Sequence, residues 1–207
     1  MIRQPWSLAL VLAFAGFPLA SATPAPQTED DEYTRYELLD PDSGAFRITY
    51  EMSATTPGAT MYFNPIRKGS IATDEAVYDR LTGKPLPFGI VPGEQARAAG
   101  VGDAEPDTSY IRIALARPVP ADGETRLLIL KTYRDPKSYW REGDAIVFSR
   151  SLSIKRNAVL LPAGYELVAC NMPAQVLSDP DGRLLVSFMN ASPAEAPLVV
   201  KARKLRR

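Results

Sequence analysis

Phe46-Arg47-Ile48-Thr49-Tyr50-Glu51-Met52 alternates apolar and polar side chains without a break. In an extended chain successive side chains point to opposite faces. Phe46, Ile48, Tyr50 and Met52 therefore share one face, and Arg47, Thr49 and Glu51 share the other. A helix would scatter these residues around its axis, so the stretch reads as a half-buried β-strand. The same signature recurs along the chain. Ile111, Ile113 and Leu115 alternate against Arg112, and Leu184, Val186 and Phe188 form a one-sided face with Leu185 and Met189 opposite. Leu127 to Leu130 is apolar on both faces, which suits a central strand. Ala145–Arg150, Ala158–Leu161, Tyr165–Cys170 and Leu198–Ala202 supply further candidates.

The joints between these runs carry turn chemistry. Asp40-Pro41-Asp42-Ser43-Gly44 and Asp179-Pro180-Asp181-Gly182 place proline where φ is preset and glycine where φ can be positive. Thr82-Gly83-Lys84-Pro85 separates Val77-Tyr78-Asp79 from Phe88-Gly89-Ile90-Val91, which predicts a hairpin. One short helix is predicted at Gly93–Ala99, behind Pro92 and ended by Gly100. The 19 prolines in 207 residues argue against longer helices. The expected fold is an all-β antiparallel β-sandwich of about ten to twelve short strands.

Composition narrows the chemistry. The chain has no histidine, which excludes a Ser–His–Asp or Cys–His triad, histidine-ligated zinc or haem, and an imidazole pH switch. With 24 basic and 24 acidic residues, nothing in the overall charge points to nucleic acid. The lone Cys170 has no partner for an internal disulfide, and reads as a small buried hydrophobe, the alternatives being a thiol that pairs between chains or a reactive thiol.

Residues 1–22 read as a secretory signal peptide, with Arg3, the apolar run Ser7–Phe17, Pro18 and the small residues Ala20-Ser21-Ala22. The apolar run falls short of the ~20 residues that cross a bilayer. The expectation is an exported, periplasmic or extracellular protein without a transmembrane helix after cleavage. Residues 23–32 read as a flexible Pro-rich and acidic leader, residues 33–203 as a single β-sandwich domain, and residues 204–207 as a basic tail that could touch an anionic surface.

The segment Leu161-Pro162-Ala163-Gly164-Tyr165-Glu166-Leu167-Val168, followed by Pro173, Asp181-Gly182-Arg183 and Phe188-Met189-Asn190, resembles strand-and-turn stretches of uncharacterised exported bacterial proteins. More distantly it is similar to the N-terminal β-domain of the membrane alanyl aminopeptidase family. That resemblance covers about a quarter of the chain and implies a β-sandwich fold. The family's chemistry lies in a separate helical domain bearing His-Glu-x-x-His, so no catalytic residue carries over to a chain without histidine.

Candidate sites are few. Asp40, Asp42, Ser43, Asp179 and Asp181 offer hard oxygens for calcium, but Asp-Pro-Asp is ordinary turn sequence and neither run continues into a full loop of ligands. Lys68-Gly69-Ser70 and Ser153-Ile154-Lys155 have spacings that Ser–Lys catalysis could use and that also arise by chance. No metal, cofactor or catalytic residue is expected. Two loops suit binding. Asn64 to Ser70 contains Arg67 and Lys68, and Arg134 to Asp144 places Tyr139 and Trp140 beside Arg141. Exposed aromatics flanked by arginine suit sugar stacking or protein contacts; the other reading is that Tyr139 and Trp140 fold back and plug the sandwich. The functional expectation is a non-catalytic module binding a protein or glycan in the cell envelope. An accessory subunit of a larger envelope complex and a histidine-free hydrolase are the alternatives.

Overall fold

A computed structural model describes residues 24–205. The segment 1–22 read as a signal peptide lies outside the described residues, as do the last two arginines. Fourteen strands among the described residues form three sheets. The largest has seven, in the order β12 (Gln175–Ser178), β13 (Leu184–Met189), β10 (Arg156–Leu160), β1 (Glu29–Leu38), β2 (Ala45–Ala54), β7 (Thr125–Arg134) and β4 (Ile71–Asp79). A four-stranded sheet runs β11 (Tyr165–Cys170), β14 (Ala196–Lys204), β9 (Ala145–Leu152), β8 (Tyr139–Glu142). A three-stranded sheet runs β3 (Met61–Pro65), β6 (Ser109–Ala114), β5 (Phe88–Pro92), and α1 (Gly93–Ala98) follows directly. The all-β class and the single short helix agree with the sequence. Pairing is antiparallel except between β1 and β10, which run parallel.

The alternation that opens the sequence builds the core. Phe46, Ile48, Tyr50 and Met52 of β2 are all buried, and Leu127 and Ile129 of β7 lie beside them in register. One buried cluster joins this face to Phe148, Leu198 and Val200 of the four-stranded sheet and to Tyr62, Ile111 and Ile113 of the three-stranded sheet. Phe148 stands edge-on to Phe46 with ring centroids 5.3 Å apart, so the two larger sheets meet through aromatic edges. The turns behave as their residues require. Asp40 caps a 3-10 turn at Pro41–Ser43, and Gly182 takes a positive φ between β12 and β13.

Three sequence expectations are corrected. The hairpin from Val77 to Val91 stops early: Leu86 N–H still donates to Val77 O, but Phe88–Pro92 leaves for the other sheet. Pro85 and Pro87 lack the N–H groups that would extend the ladder, which frees the chain to cross over. The leader boundary also moves. Residues 24–28 lie on the fold, with the Gln27 side chain bonded to both N–H and C=O of Phe63, and β1 begins at Glu29. The strand is masked in the sequence because its first four residues are all acidic and its inward row, Thr34, Tyr36 and Leu38, begins on a polar residue. Finally, Lys204, the first residue of the basic tail, ends β14 (Ala196–Lys204), a strand in which Lys201 pairs with Glu142 and Arg203 with Glu166.

Gly100 anchors the N-terminal segment. Its φ is +103°, and a Cβ there would lie 2.6 Å from the carbonyl oxygen of Ala25. Gly100→Ala is expected to lower stability by about 1–3 kcal/mol in denaturant titration. Unchanged stability would show that residues 24–28 do not pack on this turn.

Candidate functional site: a charged cleft between the sheets

The inward faces of β1, β2 and β7 do not meet the three-stranded sheet along their whole length. Together with β3 and residues 150–154 they leave an open cleft of about 550 Å³. Its floor carries two buried cations. Lys131 follows Leu127 and Ile129 in the inward row of β7 and is only 6% exposed. Its Nζ donates to Asn64 Oδ1 at 2.6 Å and to Pro65 O at 3.3 Å, both neutral oxygens. Burial, reinforced by the charge of Arg150, pushes its ammonium down to a pKa of about 7.

Arg150 breaks an apolar row in the same manner, following Ile146 and Phe148 on β9, and is 7% exposed. Its guanidinium carbon lies 5.4 Å from the Phe46 ring centre, 5.5 Å from Tyr133 and 5.9 Å from Tyr36. Nη1 reaches Asp135 Oδ2 at 3.3 Å and Ser138 Oγ at 3.4 Å, while Nε is buried without a partner. Lys131 Nζ lies 5.1 Å from the same Tyr133 ring, so one aromatic ring separates two like charges. Burial would raise the Asp135 carboxyl, but the Ser138 hydroxyl, Arg150 and Ser70 together hold it below its ordinary range.

The opposite end is acidic. Glu29 and Glu32 are three residues apart, so a regular strand would send them to opposite faces. A bulge between Asp30 and Tyr33, with Asp31 at φ +52°, adds the residue that turns both toward the cleft. Aspartate tolerates this left-handed conformation better than most residues. Tyr62 donates to Glu29 and Tyr50 to Glu32. Burial raises Glu29 above the usual carboxylate range, with Tyr62 pulling the other way and Glu32 and Asp103 adding to the rise. Burial and the neighbouring negative groups push both phenols far up, so they remain donors.

Of the residues expected to bind, Arg67 and Lys68 line this cleft at its mouth. Arg67 Nη1 donates to Ser151 O at 3.2 Å, and Lys68 pairs with Asp107, which raises its pKa. The second loop adjoins the first at Asp135, which accepts from Ser70 Oγ at 3.2 Å and Ser138 Oγ at 2.7 Å. Its aromatics point elsewhere, however. Tyr139 is 0% exposed with its hydroxyl on Leu39 O at 2.9 Å, so it plugs the core instead of presenting a ring to solvent. Trp140 is half-buried, and exposed Arg141 grips Asp42 with Nε at 2.6 Å. The Asp-rich turns are likewise engaged: Asp179 pairs with Arg35 and Asp181 with Arg183. The suggested Lys68–Ser70 contact does not form: Lys68 pairs with Asp107 and Ser70 donates to Asp135.

No family model matches this chain, and no curated protein matches it. Among solved structures it is similar to an M1 zinc metallopeptidase from Deinococcus radiodurans, with a TM-score of 0.53 at 8% identity. A two-domain M1 zinc metallopeptidase bound to L-arginine gives 0.53 at 10%. In both cases the match covers 86% of this chain and 42% of the other, so this chain spans less than half the length of those enzymes. At such identity the likeness shows a shared fold, in keeping with the distant resemblance read from the sequence.

Proposed function

We propose that this chain is a non-catalytic β-module of the cell envelope that binds a protein or glycan partner at the charged cleft. The observation that carries this reading is the cleft floor. Buried cations that pair with neutral oxygens or leave a donor unmatched weaken a fold. Lys131 does the first and Arg150, through its Nε, the second, beside an open cavity of ordinary ligand size. The contacts of Lys131 also favour binding over hydrolysis, since its amine faces an amide and a carbonyl oxygen and not a serine hydroxyl. Placement in the envelope rests on the signal-like residues 1–22. The accessory-subunit reading draws support from β12, an edge strand that exposes Val176 and Leu177. A native mass well above that of one chain together with its small ligand favours it.

The test is retention of native envelope material by the immobilised full chain. Arg67→Ala should weaken retention by about 1 kcal/mol and leave the melting temperature nearly unchanged, whereas Trp140→Ala, on β8 outside the cleft lining, should leave retention unchanged. Unchanged retention by Arg67→Ala would overturn binding at the cleft, and weakened retention by Trp140→Ala at an unchanged melting temperature would move the binding surface to β8.

A further inference from the structure

We propose that the cleft takes a sugar that carries a carboxylate, an inference that rests on the binding-module reading and names its ligand. The two ends of the cavity differ in charge in a way that fits such a molecule. At the floor, Arg150 is ion-paired with Asp135 and hydrogen-bonded to Ser138 through Nη1, and holds a buried Nε without an acceptor. Lys131 stands beside it with no ion pair formed among the described residues, and Arg67 adds a third cation at the rim. Asp135 offsets only one of the two buried cations, and an oxyanion seated between them would accept from Nε and balance the charge of Lys131. A planar carboxylate is the group that arginine grips best edge-on.

The far end calls for hydrogen-bond donors. The carboxylates of Glu29 and Glu32 each receive one phenol and keep further lone pairs for ligand hydroxyls. Those phenols spread the negative charge, which suits neutral hydroxyl donors over a second cation. Tyrosine rings from both sheets line the walls between, apolar on their faces and polar at their tips, as a pyranose requires. The volume of about 550 Å³ admits one or two sugar rings.

The experiment is calorimetric titration of the full chain at pH 6 with glucuronate, glucose, glucose 6-phosphate, acetate and the zwitterion β-alanine. Glucuronate should bind at least tenfold more tightly than glucose or acetate, and more tightly than glucose 6-phosphate. Its affinity should fall between pH 6 and pH 9 as Lys131 loses its proton, which burial and Arg150 loosen and Glu75 helps to hold. Lys131→Met should lose at least tenfold in glucuronate affinity while remaining folded, and Arg67→Ala should lose less. Preference for glucose 6-phosphate would replace the carboxylate with a phosphate, and preference for β-alanine would replace the hydroxyls with an ammonium; either overturns the proposal. So would equal binding of glucuronate and glucose, or undiminished binding by Lys131→Met. Retention of envelope material without glucuronate binding would refute this ligand and leave the module reading standing, whereas loss of both would refute both.

Discussion

Arg150→Ala is expected to destabilise the fold by about 3–4 kcal/mol, read as a lower midpoint in denaturant with an unchanged slope. Two losses combine. The guanidinium packs against Tyr36, Phe46 and Tyr133, where the seven-stranded and four-stranded sheets face each other, so truncation opens a void between three rings. It also removes the cation from Asp135, whose side chain is 9% exposed and which then depends on Ser70 and Ser138 alone. Arg150→Met separates the two, because it restores much of the packing without the charge. Its cost should be about 1–2 kcal/mol. Equal costs for both variants would mean that the Asp135 ion pair, and not the packing, holds this junction.

Lys131→Met should do the opposite and stabilise the protein, by about 2–3 kcal/mol below pH 7. In the unfolded chain the amine has its ordinary pKa of 10.5, whereas in the folded chain it is near 7. Below pH 7 both states carry the charge, and the folded state bears the full cost of burying it, roughly 5 kcal/mol at ~1.4 kcal/mol per pKa unit. Removing the hydrogen bonds to Asn64 and Pro65 returns about 2 kcal/mol of that. Between pH 7 and 10.5 the folded chain has released a proton that the unfolded chain keeps, so the parent protein gains stability as pH rises. The advantage of the variant should therefore be largest in acid and fade toward pH 10.5. Unfolding free energies of the two proteins measured from pH 5 to pH 10 check both the sign and the window. A destabilised variant across that whole range would show that the amine is held favourably in place.

These effects arise from residues whose register was legible before their role was. The inward row of β2 could be read directly, because Phe46, Ile48, Tyr50 and Met52 alternate cleanly with charged or polar neighbours. Tyr165–Cys170, read from its apolar run, coincides with β11. The hairpin at residues 77–91 misled because turn chemistry reports where a chain bends, and not which sheet receives the next strand. The site was legible in part. Arg67 and Lys68 stood out as a basic loop and do line the cleft. Lys131 and Arg150 carry a signal in the sequence: each occupies an inward position of a strand whose preceding inward residues are apolar. Glu29 and Glu32 carried no such signal. Their common direction depends on one bulge residue, Asp31, and a spacing of three places them on opposite faces of any regular strand. Tyr139 was obscure for a related reason. An aromatic between charged neighbours is equally compatible with solvent and with a plug, and only its bond to Leu39 decides.

The central claim is that the cleft floor holds a lysine whose charge the fold itself does not support. It is tested most directly by nuclear magnetic resonance titration of the protein labelled at lysine Cε, with Lys131→Met assigning the signal. The account requires one lysine with a midpoint near pH 7, displaced upward when glucuronate fills the cleft. A Lys131 signal that titrates near 10.5 with or without glucuronate would contradict it.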